Sequence, residues 1–185
     1  NTRVVTRTEP CIVLVGLMGT GKTTVARLLA EHRHAELLDT DKLIEARDGR
    51  SVREIFAESG EATFRELESE VLRECLARPG SRVIAGAGGV VVREQNRAML
   101  DHARDAGSAV VVWLHARPEV LAERTAKGAH RPLLDNDRMG TLTQMSEDRG
   151  PLYASVADIV IDVSDRSLES VVELLIDALD EQEEF

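Results

Sequence analysis

Short apolar runs alternate with helical periods along this chain. The first run, Cys11–Val15, reads CIVLV: apolar at every position and rich in β-branched residues. A strand buried on both faces has that pattern and belongs in the middle of a parallel sheet. A glycine-rich loop follows, then a helix over Lys22–Arg33. Residues 37–39 form a short second strand candidate, with a helix near 42–47 behind it. Ser51 and Glu54 form an S-x-x-E capping box, which starts another helix. A longer helix is expected over 62–77, with Phe64, Leu67, Val71 and Leu72 on one stripe. Arg82–Ala85 reads as a third strand and ends in Gly86-Ala87-Gly88-Gly89. A helix over 93–106 leads into the longest apolar run, 109–114, a fourth strand. Pro118 stands where the first helical residue belongs, and that helix runs to Ala126. Residues 127–137 have no period and mix Gly, Pro, Asn and charges, so they read as a mobile loop. A helix over 139–153, a strand over 159–163 and an amphipathic helix over 167–179 complete the pattern. Five strands with interleaved helices predict an α/β fold: a three-layer α/β/α sandwich around a parallel sheet.

The chain has 185 residues, which suits one domain, 1–185, with its core over about 11–179. A hydrophobic share of 43% with 30% charged residues excludes disorder and fibre. No apolar run approaches the ~20 residues of a membrane helix. The start, NTRVVTRTEP, lacks the apolar stretch of a secretory signal, and two cysteines are too few for a disulfide framework. A reducing, cytoplasmic setting and a monomer are expected. The net charge of −10 argues against nucleic acid or anionic membrane as a partner. An acidic chain that binds a phosphorylated ligand must gather its cations in one cleft.

Gly16-Leu17-Met18-Gly19-Thr20-Gly21-Lys22-Thr23 fits G-x-x-x-x-G-K-[ST] between a buried strand and a helix, the context this motif requires. Backbone N–H groups of such a loop turn inward around phosphate oxygens, and the helix N-terminus adds positive potential. Lys22 can reach the β- and γ-phosphates, and the Thr23 hydroxyl can ligate Mg²⁺. The chain is therefore expected to bind a nucleoside triphosphate. A guanine-reading N-K-x-D is absent, and the strand over 109–114 runs into His115 where motor and transporter ATPases carry Asp. The small size points to a kinase of small molecules. Asp39 and Asp41, in LLDTD, place two carboxylates at a strand end, where ligands collect in open α/β sheets. They suit one partner for magnesium and one for an acceptor hydroxyl. A plain turn, with one Asp as helix N-cap, fits the same residues.

With these elements in order, the sequence resembles the shikimate kinases over about residues 11–179. The resemblance rests on GLMGTGKTT, LLDTD, SVREIFAESGEATFRELE, the glycine cluster before a Val pair, RPLL, and RGPLY followed by VADIVID. It implies a nucleoside-monophosphate-kinase-like P-loop fold with a lid at about 127–137 and acceptor-binding helices at about 41–77. It implies transfer of phosphate from MgATP to the 3-hydroxyl of shikimate, on the way to chorismate and the aromatic amino acids. By the same resemblance Gly19, Thr20, Gly21, Lys22, Thr23 and Thr24 meet ATP. Thr23 resembles the magnesium ligand, and Asp39 the acid that holds the metal through water. Asp41 resembles the acid that bonds the acceptor hydroxyls and acts as base. Arg65 and Arg149 resemble the arginines that grip the substrate carboxylate, Glu68 an acid that helps orient it, and Gly88 and Gly89 glycines whose backbone lies against it. Arg131 resembles the lid arginine that closes on ATP phosphates, and Arg124 and Arg166 match positions flanking adenine.

A guanidinium fork suits a carboxylate bidentately, so two arginines from separate elements would fix a small ring acid. Taken alone, Arg65 on a helix fits a solvent-facing pair with a neighbouring acid better; the resemblance is what turns it toward the substrate. One departure stands out: the family carries three consecutive glycines where this chain has Ala87-Gly88-Gly89, preceded by Gly86. Alanine there adds a methyl group beside the ligand and is strained if the position needs positive φ. A gluconate-kinase-like sugar-acid kinase and a non-catalytic nucleotide-binding paralogue are the alternative readings.

Overall fold

The computed structural model describes residues 9–127, 134 and 136–183. Five strands form: β1 Cys11–Val15, β2 Glu36–Asp39, β3 Arg82–Ala85, β4 Ala109–His115 and β5 Ile159–Asp162. They pair in parallel in the order β2-β3-β1-β4-β5. The strand that is apolar throughout is the central one: Val13 stands between Ile84 and Val111, and every β1 residue is buried. The edge strands β2 and β5 carry the exposed positions.

The helices are α1 Lys22–Arg33, α2 Thr40–Asp48, α3 Val52–Ala77, α4 Glu94–Asp105, α5 Pro118–Ala126, α6 Arg138–Val156 and α7 Leu168–Glu183. From β1 to β2 the chain moves one way across the sheet, and from β3 to β4 it moves the other way. Right-handed crossovers then put α1 and α4 on opposite faces. Accordingly α1 packs on β3 and α7, while α4 packs on β4, α3 and α6. The strand order reverses beside β1, and a ligand crevice is expected there, at the C-terminal edge.

Some boundaries differ from the sequence pattern: α6 and α7 run on to Val156 and Glu183. Helix α2 starts at Thr40 because Asp39 caps it, its Oδ1 accepting from the Lys42 N–H at 3.2 Å. The two helices expected from Ser51 and over 62–77 are both present, meeting within α3 at Gly60, which has non-helical φ 80° and ψ 170°. Its capping box forms as expected: Ser51 N donates to Glu54 Oε2 at 2.7 Å and Glu54 N to Ser51 Oγ at 3.2 Å. Among the described residues no helix is long and apolar enough to cross a membrane.

Candidate active site

The glycine loop joins β1 to α1. Gly19 and Gly21 sit at φ 86° and 88°, in the left-handed region that costs glycine nothing. Gly21 is the N-cap of α1, and no acid stands in that helix's first turn, so its positive end faces the loop unneutralised. Lys22 folds back over the loop, Nζ donating to the Leu17 carbonyl at 2.9 Å. Thr20 is buried and donates to the same carbonyl at 2.8 Å, so its side chain shapes the loop from within.

Over this loop opens a cavity of about 760 Å³. Gly19, Gly21, Lys22, Thr23 and Thr24 line one end, with Asp39 and Asp41 beside them. Phe56, Phe64 and Arg65 of α3, Gly88 and Gly89 after β3, and Arg149 of α6 form another wall. Arg124 and Arg166 also line the cavity. Arg124 is held by the Val163 carbonyl at 2.8 Å and the Gly19 carbonyl at 3.5 Å. Five cationic side chains thus face two carboxylates, in a chain whose net charge is −10. Cations outnumber acids in this cleft although acids outnumber cations in the chain, which suits an anionic ligand. Arg131, with most of the segment 127–137, lies outside the described residues.

The two aspartates have different surroundings. Asp39 is the helix N-cap that its turn suggested: Oδ1 caps α2, while Oδ2 accepts from the Thr23 hydroxyl at 3.4 Å. Asp41 Oδ1 is buried without a hydrogen-bond partner among the described residues. Burial pushes the Asp41 carboxyl up to about 6, and the Asp39 charge adds to the shift, while Lys22 opposes it.

Arg65 is 8% exposed and is gripped by two acids of its own helix. Nη1 donates to Glu68 Oε2 at 2.9 Å, and Nε and Nη2 donate to Glu61 Oε1 at 3.3 and 3.2 Å. Glu61 is exposed, so the solvent-side pairing weighed from the sequence does exist. Glu68 is fully buried and does not line the cavity; it acts on that space through its bond to Arg65 and through its charge, which Asp41 and Arg149 feel. Burial raises the Glu68 carboxyl, and Arg65 pulls it back.

The glycine cluster divides its work. A Cβ built on Gly89 would lie 2.1 Å from Arg65 Nη1, so the guanidinium occupies the space a side chain would need. At Gly88 the nearest atom to such a Cβ is the Gly16 carbonyl oxygen at 3.6 Å, an ordinary contact. The strain considered for Ala87 does not arise, because its φ is not positive. Its N–H donates to the Thr40 hydroxyl at 3.0 Å, and its methyl group lines the cavity.

Two residues of this region were not singled out from the sequence. Thr40, fully buried, also donates to the Ala85 carbonyl at 3.3 Å, tying the two-aspartate turn to the glycine cluster. Tyr153, buried on α6, donates its hydroxyl to the Gly88 carbonyl. A tyrosine tip needs a polar partner when buried, but only the fold names that partner.

A phosphate loop that shares one cavity with an acid pair and an arginine wall defines a P-loop kinase acting on a small molecule. Residues 18–180 match the sequence profile of the family described as shikimate kinase. The shikimate kinase of Symbiobacterium thermophilum is 44% identical over 176 residues, 94% of this chain and 98% of that protein. That of a Marinomonas species is 40% identical over 172 residues, 92% of each chain. The solved structure of shikimate kinase from Acinetobacter baumannii in complex with shikimate matches with a TM-score of 0.86 at 34% identity, covering 94% of both chains. This chain belongs to the shikimate kinase family.

Proposed function

We propose that this chain transfers the γ-phosphoryl group of ATP to the 3-hydroxyl of shikimate, on the route to chorismate and the aromatic amino acids. One observation carries the reading. A single cavity is lined both by the phosphate loop and by Arg65 and Arg149, with Asp41 in electrostatic reach of Lys22 and Arg65. Such a space seats a triphosphate and a small carboxylic acid together, with a carboxylate available to the acceptor hydroxyl.

In this reading the loop N–H groups, the α1 terminus and Lys22 hold the phosphates. Gly19, Thr20, Gly21, Thr23 and Thr24 contribute to that cradle, and Arg124 and Arg166 flank the adenine. Arg65 and Arg149 fork the substrate carboxylate, Glu68 fixes the Arg65 plane, and Gly88 and Gly89 form the floor. Asp41 accepts the proton of the attacking hydroxyl. Its raised pKa of about 6 leaves it ionised at neutral pH yet more basic than an ordinary aspartate. Arg131 supplies charge to the transferring phosphoryl group.

Thr23 and Asp39 suit magnesium. Their oxygens stand 3.4 Å apart beside Lys22, and no group of three or more His, Cys, Asp or Glu among the described residues is placed to hold a metal ion by itself. That donor set fits a cation that takes most of its ligands from phosphates and water, with Asp39 acting through water. When bound, magnesium neutralises charge on the β- and γ-phosphate oxygens. The acidic surface suits a cytoplasmic monomer that meets ATP and shikimate, without nucleic acid or membrane.

The test is a coupled turnover assay with shikimate, with gluconate and without acceptor, joined to separate titrations of shikimate and ATP. Arg65→Ala and Arg149→Ala should each weaken shikimate about ten- to a hundredfold, as loss of a charge-assisted contact does, with far smaller effects on ATP. Lysine should restore only part. Turnover that favours gluconate, or unchanged shikimate affinity in both variants, would refute the assignment.

A further inference from the structure

We propose that Tyr153 is a positioning residue for the acceptor, joining Arg149 and the Gly88-Gly89 backbone into one rigid wall. This rests on the reading above that Arg149 and the glycine floor meet shikimate. The two parts of that wall come from different places in the chain. Gly88 and Gly89 follow β3, whereas Arg149 stands on α6. Tyr153 lies one turn beyond Arg149 on the same helix, so both side chains project from one face. Its hydroxyl donates to the Gly88 carbonyl, and the Arg149 guanidinium is near enough to act on it electrostatically. Arg149 Nη1 would also stand 3.9 Å from a Cβ on Gly88, so phenol, guanidinium and loop meet at one place.

The meeting point is held in a fixed place. Tyr153 is 1% exposed, and its ring stacks on Trp113 of β4 at 5.7 Å between centroids. Burial pushes the phenol up to about 12, so it stays protonated and keeps donating throughout the neutral range. The rest of the loop is locked by other means: Thr40 takes the Ala87 N–H, and the Arg65 guanidinium lies against Gly89. Gly88 has no side chain of its own to pack. Its carbonyl bond to Tyr153 is what ties this residue to α6, and with it the distance from floor to Arg149. Tyr153 does not line the cavity and touches no ligand in this scheme. Its effect reaches shikimate through Gly88 and Arg149.

Tyr153→Phe removes the hydroxyl and keeps the ring on Trp113. Calorimetric titration should show shikimate weakened about three- to tenfold, as for a lost buried hydrogen bond, with ATP affinity within twofold of the parent. In an Arg149→Ala background the same substitution should cost less than half as much in binding free energy, because one of the two parts it aligns is gone. Equal losses for shikimate and ATP would mark a merely structural residue and overturn the proposal, as would unchanged shikimate affinity. A second measurement needs no variant. Tyr153 is the single tyrosine of the chain, so 3-fluorotyrosine labels it alone. Its fluorine resonance should move on saturation with shikimate and much less with ATP; a resonance indifferent to shikimate overturns the proposal. Parent protein that binds ATP but not shikimate would remove the functional reading itself, and this proposal with it. Normal parent binding with an unaffected Tyr153→Phe removes only the proposal.

Discussion

Replacing Asp41 by Asn should make the protein more stable and much less active. Asp41 carries a charge into a place that suits it poorly: Oδ1 is buried without a hydrogen-bond partner among the described residues, and the Asp39 carboxylate is near. The folded state therefore raises its pKa from 3.8 to about 6. Folded protein then binds this proton more tightly than unfolded protein does. Stability falls as pH rises from about 4 to about 6, and the loss persists above that. A shift of about two units at 1.36 kcal/mol each sets the cost near 3 kcal/mol at neutral pH. Asparagine carries no charge but still buries a polar group, so about 1–3 kcal/mol should be recovered. For a chain of this length that is about 2–10 °C in melting temperature. Urea unfolding of parent and variant, ligand-free, at pH 7.5 and pH 4 measures it. The variant should be the more stable at pH 7.5, with the gap closing at pH 4. Turnover should fall about a hundredfold or more, and parent turnover should decline below about pH 6 as Asp41 protonates. A variant no more stable than the parent at pH 7.5, or a gap that widens toward pH 4, would refute the argument.

Other consequences concern residues that line the cavity. Gly89→Ala should push the Arg65 guanidinium from its place, because the new Cβ would stand 2.1 Å from Nη1; shikimate affinity should drop about tenfold by calorimetry. Gly88→Ala, with 3.6 Å to its nearest neighbour, should show a much smaller loss, so equal effects at the two glycines would count against the close-packing account. Lys22→Ala should abolish phosphoryl transfer while circular dichroism and the melting curve stay close to the parent's. Near-normal turnover would remove Lys22 from the phosphate cradle.

Much of this architecture is legible from local pattern. Burial on both faces writes a continuous apolar run, so CIVLV marks the central strand; the βαβ alternation then leaves few topologies. The phosphate loop is legible because its function resides in backbone geometry, which glycine spacing reports directly. Asp39 and Asp41 are legible for the same reason, since a strand end places them within one turn. The pairing of Arg65 with both Glu61 and Glu68 is also local, at helical spacing. The break at Gly60 within α3 is legible too, because the sequence pattern on either side reads as two helices.

The contacts that turn these residues into a site are long-range, and local pattern carries no record of them. Nothing near Gly89 says that a guanidinium twenty-four positions earlier fills its missing side chain. Nothing near Ala87 says that its φ is ordinary and that the Thr40 hydroxyl takes its N–H. The raised pKa of Asp41 comes from burial and from the nearby Asp39 charge, with Lys22 and Arg65 opposing it in the same space. Tyr153 reads as one more buried ring until the sheet order brings Gly88 beneath α6, 65 residues away in the chain. The sequence by itself determined which elements form and which chemical groups are available. The tertiary structure alone decided which of those groups share a low-dielectric cavity, because desolvation and hydrogen bonding depend on distance in space and not along the chain.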